Sequence, residues 1–340
     1  MIEIQIILKP GKEQSVKRFH PWIFSGAIAK IKGSPAEGDV AEVFASDGSY
    51  LATGHWSPGS IAVRIFSFTR CNPDSDFFTR KIYNAYRYRL STGLAGNPHT
   101  NVYRLVHGEG DGLPGLIVDV YGNVAVLQAH TAGFWHMREA LAAGILDVMK
   151  GVVVSVYDKS EGTLPFMAGL GAENGHLAGM QQADEAVVLE NGFRFRVNWQ
   201  TGQKTGFFVD QRDNRLLLSK YSEGRHVLNM FGYTGGFSVY AMKNAALVHT
   251  VDSSPVATAL ADENVKLNFG DDPRHKAITA DAFSYLQNMD NNYDLIVLDP
   301  PAFAKHQKVL SNALQGYRRI NAQALKKIKP GGLLFTFSCS

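Results

Sequence analysis

Five apolar runs in the last third of the chain each stop at a small or acidic polar residue. Val227-Leu228-Asn229-Met230-Phe231 leads into Gly232-Tyr233-Thr234-Gly235-Gly236, residues 247–251 stop at Asp252, and residues 277–280 stop at Asp281. Residues 295–298 stop at Asp299-Pro300-Pro301, and residues 333–337 stop at Ser338-Cys339. Apolar runs without alternation read as strands buried on both faces, and the stretches between them are long enough for crossover helices. The predicted architecture is an open parallel α/β sheet, in which ligands bind outside the carboxyl ends of the strands. All five polar termini then face one crevice with a cofactor side and a substrate side.

The earlier pattern is different. To about residue 68, short β-like runs such as 38–44 and 61–66 alternate with turns such as Ser46-Asp47-Gly48, which predicts a small barrel. Residues 77–90, rich in Tyr and Arg, predict a connecting helix, and residues 135–149 a second helix. Residues 116–120 and 124–127 flank Tyr121-Gly122-Asn123, and residues 187–189 and 193–197 flank Glu190-Asn191-Gly192. Both read as hairpins, Asn-Gly being the strongest short turn signal. The expected organisation is an N-terminal barrel over 1–70, a central α+β domain with hairpins over 71–200, and the parallel-sheet domain over 201–340.

Composition narrows the class. A hydrophobic content of 45% with 19% charged residues is that of a soluble globular chain. No apolar stretch reaches ~18 residues and no secretory pattern opens the chain, so the expectation is a cytoplasmic protein without membrane contact. Cys71 and Cys339 are too few for a disulfide framework and have no metal-ligand spacing, so no metal is expected. The net charge is +3, but residues 1–100 hold 12 Lys and Arg against 8 Asp and Glu, while the rest hold 22 against 23. A polyanion footprint is therefore expected in the first hundred residues, with a solvated basic surface as the structural alternative.

The glycine-rich turn after Asn229-Met230-Phe231 lets the backbone approach a ligand closely. It is not G-x-G-x-x-G and lacks the Lys of a phosphate loop, which disfavours a dinucleotide or ATP. Asp252, 16 residues past Gly236, sits where a carboxylate accepts bonds from ribose hydroxyls, and Asp281 where an adenine edge would come. Together they suit a nucleoside without a phosphate tail, as in S-adenosylmethionine. The alternative is a tight turn, with Asp252 capping a helix through Ser253. On the substrate side, Pro300 and Pro301 stiffen the exit of the strand and hold Asp299 over the crevice, and Phe303 either stacks on a flat base or packs in the core. A thiol at Cys339 can attack C6 of a pyrimidine and turn the poorly nucleophilic C5 into a carbon nucleophile; the alternative is a small buried hydrophobe. Residues 201–213 read as a loop and helix start over the cofactor, with Phe207 or Phe208 against apolar donor atoms. For Arg212 and Asp213 an exposed helix face is the alternative.

Residues 201–215, the 229–238 turn, Asp299-Pro300-Pro301 and Ser338-Cys339-Ser340 resemble the class I methyltransferases that modify cytosine C5 in bacterial large-subunit ribosomal RNA. Leu8-Lys9-Pro10-Gly11 through His20-Pro21-Trp22-Ile23-Phe24-Ser25-Gly26 resembles that family's PUA domain, an RNA-binding barrel, and residues 105–127 its central domain. The resemblance implies a Rossmann-like methyltransferase sheet, S-adenosylmethionine as donor with S-adenosylhomocysteine as product, and ribosomal RNA as partner. It puts Phe207, Phe208, Asp210, Gln211, Asn229, Phe231, Tyr233, Gly235, Asp252, Ser253, Asp281, Ala282 and Asp299 at the cofactor. Lys17, Arg18, Trp22, Pro300 and Phe303 fall at the RNA. Cys339 becomes the nucleophile, and Asp299 a hydrogen-bond partner of cytosine N3 that helps protonate the ring. Many related enzymes carry a second cysteine after the proline, where this chain has Ala302, so the base that removes the C5 proton is unassigned. The family sheet has seven strands in the order 3-2-1-4-5-7-6, whereas this chain stops one residue after Cys339. An apolar fifth-strand edge is then expected, left by a truncated product or covered by another subunit in a homodimer. Two rival readings are a base-nitrogen enzyme of the guanine-N7 type, which needs no cysteine, and an RNA-binding protein without catalysis.

Overall fold

The structure, a computed structural model, describes residues 2–165, 169–303 and 310–338. The chain divides into two compact units, residues 1–188 with 197–209, and residues 189–196 with 210–340.

The first unit opens with β1 (Ile4–Leu8), α1 (Gln14–Lys17), β2 (Trp22–Phe24), β3 (Ile28–Lys32), β4 (Val40–Phe44), β5 (Tyr50–Trp56) and β6 (Ile61–Ser67). They form one sheet in the order β2-β6-β5-β4-β1-β3. Alternation sets its core: Ile6, Leu8, Ala41, Val43, Ala52, Val63 and Ile65 turn inward with Val16 of α1. Then come α2 (Ser75–Ser91), β7 (Val102–His107), β8 (Leu116–Tyr121), β9 (Val124–Ala129), α3 (Ala132–His136), α4 (Arg138–Val148), β10 (Ser155–Asp158) and β11 (Gly175–Gly179). The second sheet has the order β11-β10-β9-β8-β7. Asp74 caps α2, its carboxylate accepting from Phe77 N at 2.9 Å, and Phe78, Ile82 and Ala85 recur along one helical face. That face joins Leu141 and Ile145 of α4 and Leu105, Val118, Leu127 and Val156 of the sheet in one core.

The single helix predicted over 135–149 is two. Met137 leaves helical geometry (φ −95°, ψ 2°), so that Arg138 folds back on Trp135. Its guanidinium lies 4.1 Å from the indole centroid and donates to the Trp135 carbonyl at 2.9 Å.

His55 joins the two sheets of this unit. Its ring, 3% exposed, sits among Phe66, Phe78 and Phe134, and Nδ1 has no partner. Burial pushes its pKa down to about 3, and burial moves His130 the same way. The folded state therefore binds the His55 proton more weakly than the unfolded chain does. Stability from this source is complete above about pH 6.5 and is lost as pH falls from there towards 3, by up to about 1.4 kcal/mol per pH unit. All four tryptophans lie in the first unit, so urea midpoints followed by tryptophan fluorescence should fall between pH 7 and 4.5. A flat profile would contradict the burial of a neutral His55.

The hairpin of β12 (Glu185–Glu190) and β13 (Phe193–Asn198) turns at Asn191 and Gly192, both with positive φ. Its tip counts with the second unit. There follow α5 (Arg212–Tyr221), β14 (His226–Met230), α6 (Gly236–Met242), β15 (Leu247–Asp252), α7 (Pro255–Phe269), β16 (His275–Thr279), α8 (Ala282–Asn288), β17 (Leu295–Leu298), α9 (Leu310–Lys327) and β18 (Leu333–Thr336). The five strands are parallel in the order β16-β15-β14-β17-β18. Leu228, Met230, Val251, Ile296 and Leu298 pack on Leu286 of α8 and on Ile320 and Ala324 of α9. That face of the sheet is thus covered by α8 and α9, while Asn229, of opposite parity on β14, meets Ser238 of α6 on the other. Among the described residues no helix is long and apolar enough to cross a membrane.

Candidate functional site

The strand order reverses at β14, which lies between β15 and β17, and ligands of open α/β sheets bind at such a point. From β14 the chain enters α6 through Phe231 (φ 56°), Gly232, Tyr233 (φ 45°), Thr234 and Gly235 (φ 75°). Two non-glycine residues in the left-handed region mark a strained turn, held here from all sides. Gly232 N donates to Val251 O at 3.0 Å, Gly235 N to Gly232 O at 2.8 Å, and Tyr233 N to Asp252 Oδ2 at 3.0 Å. A Cβ on Gly232 would strike the Thr250 methyl, and one on Gly235 would stand 2.9 Å from Ala261 Cα. The glycines let the turn press against β15 and α7.

Asp252 ends β15 half-buried. Its second oxygen accepts from Ser254 N at 2.9 Å, and each oxygen keeps a lone pair for a further donor. The cap of α7 is Ser254, with Oγ accepting from Ala257 N at 3.3 Å, so capping does not run through Ser253, which is exposed. Asp281 caps α8 by accepting from Ser284 N at 2.9 Å, and that bond holds its carboxyl below the usual range. Ala282 behind it is buried.

Asn229 departs from the expectation. Its side chain is buried behind the turn, where Nδ2 donates to Ser238 Oγ at 2.9 Å and Oδ1 has no partner. Ser238 continues to Thr250 Oγ1 at 2.6 Å and Thr250 to His275 Nε2 at 2.9 Å, so Asn229 belongs to a polar brace across β14, β15 and β16. Parallel strands point alternate side chains to opposite faces, and Asn229 falls on the α6 face.

Asp299 ends β17 half-buried, and its Oδ2 accepts from Gln211 Nε2 at 3.3 Å. Gln211 is fixed in turn by Asn214, whose Nδ2 donates to its Oε1 at 2.6 Å. Two residues 88 positions apart, both singled out from the sequence, thus meet at one strand end. Pro300 is buried. Phe303 is half-buried, with its ring 4.7 Å from the Tyr317 ring and 6.5 Å from that of Phe283. Asp210 is exposed in the turn Val209–Gln211, and Arg212 and Asp213 pair with each other at 3.2 Å. Cys339 lies outside the described residues.

Phe207 also requires correction. It belongs to the first unit, is 1% exposed, and its N–H donates to Tyr121 Oη at 3.1 Å. The ring is therefore an anchor in the core. Phe208 is half-buried beneath Lys204, whose Nζ lies 4.4 Å from the ring centroid. The same segment is locked by Thr205 Oγ1, which donates to the fully buried Asp119 at 2.6 Å and meets Tyr121 Oη at 2.8 Å. Arg104 Nε neutralises Asp119 at 2.9 Å. The signal for this lock was a lone carboxylate inside the apolar run 116–120, because an isolated buried charge requires a partner.

A buried ion pair, likewise not foreseen, supports the turn from behind. Arg215 Nε and Nη2 donate to the two oxygens of Glu190 at 2.8 and 2.7 Å, with the residues 2% and 0% exposed. Tyr240 Oη reaches Glu190 Oε1 at 3.0 Å and accepts from Asn191 Nδ2 at 2.9 Å. A Cβ on Gly236 would lie 3.1 Å from Arg215 Cδ.

Of the residues expected at RNA in the first unit, Lys17 and Arg18 are exposed at the end of α1. Trp22 is half-buried, and its indole Nε1 donates to Glu109 Oε1 at 2.8 Å. A cavity of about 380 Å³ is lined by Lys12, Ser15, His20, Trp22 and Phe24. In the second unit a cavity of about 680 Å³ is lined by His226, Leu247, His249, Tyr285 and Tyr293; His226 and Leu247 begin their strands, away from the acidic strand ends.

Residues 6–68 match the PUA-like domain family, and residues 175–339 match the S-adenosylmethionine-dependent methyltransferase family. The chain is 40% identical over 349 residues to a ribosomal RNA large subunit methyltransferase I of Shewanella amazonensis, covering 100% of this chain and 86% of the relative. It is 39% identical to the protein of that name in Aeromonas salmonicida, covering 100% and 86%. A solved chain from Streptococcus mutans assigned to the SAM-dependent methyltransferases superimposes with a TM-score of 0.81 at 24% identity, covering 99% of this chain and 85% of that one. A methyltransferase solved with S-adenosylhomocysteine superimposes with a TM-score of 0.82, also at 24% identity, with coverage of 99% and 85%. At that identity the two structures speak for the fold.

Proposed function

We propose, for a chain that belongs to the S-adenosylmethionine-dependent ribosomal RNA large subunit methyltransferase I family, that it methylates C5 of a cytosine in large-subunit ribosomal RNA through a covalent adduct with Cys339. The observation that carries this reading is the adjacency of three strand ends: the strained glycine turn after β14, Asp252 after β15, and Asp299 with Gln211 after β17. The turn backbone accommodates a closely approaching nucleoside, and the remaining lone pairs of Asp252 accept from ribose hydroxyls. S-adenosylmethionine, when bound, supplies an electrophilic methyl group. Asp299, oriented by Gln211, hydrogen-bonds the N3 side of the cytosine and shares a proton with it as the ring is attacked. The Cys339 thiolate forms a bond to C6, and the displaced ring electrons make C5 the nucleophile. After methyl transfer, loss of the C5 proton expels the thiolate and restores the ring. Phe208, Asp210, Phe231, Tyr233, Gly235, Ser253, Asp281 and Ala282 complete the proposed cofactor surroundings, and Lys17, Arg18, Trp22, Pro300 and Phe303 the RNA contacts. The proposed division is RNA binding by 1–70, a central domain over 71–200 and chemistry by 201–340, acting in the cytoplasm.

Bisulfite sequencing of large-subunit ribosomal RNA from cells with and without this protein tests the reaction. Loss of one C5-methylated cytosine is expected; an unchanged cytosine pattern with a lost purine methyl group would favour the nitrogen-methylating rival.

Asp252→Ala should weaken S-adenosylhomocysteine binding by about 1.5–3 kcal/mol, on the order of 10- to 150-fold in Kd. Asp252→Asn retains one acceptor oxygen and should lose less. Titration calorimetry reads both, and wild-type affinity in a folded Ala variant would remove Asp252 from the site.

A further inference from the structure

Helix α2 carries cations on two faces that the structure treats differently. Arg89 and Lys81 are used inward. Arg89 forks onto Asp111, with Nη2 to Oδ2 at 2.7 Å, and its Nε donates to Arg104 O at 2.9 Å. Lys81 Nζ donates to Gly112 O at 3.2 Å. These bonds seat the helix on the 3-10 turn Gly108–Asp111, the turn that also receives the Trp22 indole through Glu109. The outward face holds Arg80, Tyr83, Asn84, Arg87 and Tyr88, all exposed, with Tyr83 at 45% and Tyr88 at 62%.

Spacing makes this face a strip. Arg80 and Arg87 are seven residues apart, about 10 Å along the axis at 1.5 Å per residue, with Tyr83 between them. Arg87 Nη1 donates to Tyr83 Oη at 3.1 Å, which props the ring, and the buried Arg89 guanidinium lies 5.5 Å from the centroid of Tyr88. The helix holds four cations against one acid, Asp76, in its first turn. We propose that this face of α2 is a second RNA contact surface, with Arg80 and Arg87 on backbone phosphates and Tyr83 and Tyr88 stacking on unpaired bases. Charge complementarity selects the occupant: a polyanion matches the exposed arginines, and bases offer π-faces to the tyrosine rings beside them. A hydrophobic helix-binding groove of a protein would call for contiguous aliphatic anchors, and the exposed aliphatic residue on this helix is Leu90, at its end. The inference rests on the proposed RNA substrate and extends its footprint beyond the N-terminal sheet.

The test uses the full chain and an unmodified large-subunit ribosomal RNA transcript, with affinities measured from 50 to 200 mM salt. Arg80→Ala/Arg87→Ala should weaken binding about tenfold or more and flatten the slope of log K against log salt by about 1.4, two single-strand contacts at about 0.7 each. Tyr83→Ala/Tyr88→Ala should weaken binding at least about tenfold with the slope kept, while Tyr83→Phe/Tyr88→Phe should stay near wild type because stacking survives. Affinity for S-adenosylhomocysteine should be unchanged throughout, which separates a lost contact from a lost fold. If the wild type binds and methylates RNA and the variants keep its affinity and slope, the α2 surface is refuted and the proposed function stands. A wild type that binds no RNA overturns both. Variants that keep naked-RNA affinity but lose binding to a ribosomal particle would show a protein contact in place of the RNA one.

Discussion

Cys339→Ser should abolish methylation and the covalent protein–RNA adduct together, while S-adenosylhomocysteine binding stays nearly normal. The attacking species must be a thiolate, and a cysteine of ordinary pKa near 8.5 is only a few per cent ionised at neutral pH. A serine hydroxyl is far less acidic and offers almost no anion under the same conditions. Loss of a nucleophile from a cooperating set reduces kcat by on the order of 10⁴-fold or more. The adduct is trapped by RNA carrying fluorine at cytosine C5, where methylation proceeds but no proton can leave C5 and the thiolate is not expelled. Denaturing electrophoresis should therefore show a shifted band for the wild type and none for the serine variant. An active serine variant would sink transfer to carbon and favour the nitrogen-methylating rival, for which a cysteine is dispensable.

The largest stability effect should come from Glu190→Ala. Removing this carboxylate leaves the Arg215 guanidinium, 2% exposed, without its bidentate partner and takes an acceptor from Tyr240. Breaking a buried pair from one side costs about 3–5 kcal/mol, because the remaining charge loses its bidentate carboxylate at a place removed from water. The second unit contains no tryptophan, so the loss should appear in hydrogen exchange of the β14 and β15 amides, with little change in tryptophan fluorescence. Replacing both partners, as in Glu190→Leu/Arg215→Met, should recover most of the stability, since no charge then stays buried. Recovery of stability without recovery of cofactor affinity would show that Arg215 also shapes the turn at Gly236. A Glu190→Ala loss below about 1 kcal/mol would mean that water reaches Arg215.

The parallel sheet and the polar residues that close its strands were legible in the sequence because both are written locally. A strand buried on two faces requires an uninterrupted apolar run, and 227–230, 248–251 and 295–298 are such runs. Each run ends where the sheet ends, so Asp252, Asp281 and Asp299 could be placed at strand termini from sequence position alone. The left-handed turn announced itself through Gly232, Gly235 and Gly236, since close packing against Thr250 and Ala261 leaves no room for a Cβ at two of them.

What the tertiary structure decided depends on which face a side chain takes and on what meets it from far along the chain. Asn229 lies in the same run as Met230, but the pleat sends it behind the turn into the Ser238–Thr250 brace. Phe207 looked like a cofactor contact by its company, yet Tyr121 and Asp119, more than 80 residues earlier, draw its segment into the core of the first unit. Met137 breaks a helix whose composition is continuous, and at that break Arg138 lies over the Trp135 ring and donates to its carbonyl. Gln211 meets Asp299, and Arg215 meets Glu190, across separations that no periodicity encodes. Local patterning records how much of each element must be buried, whereas partners are chosen only when the strands take their order and bring distant charges within reach of one another.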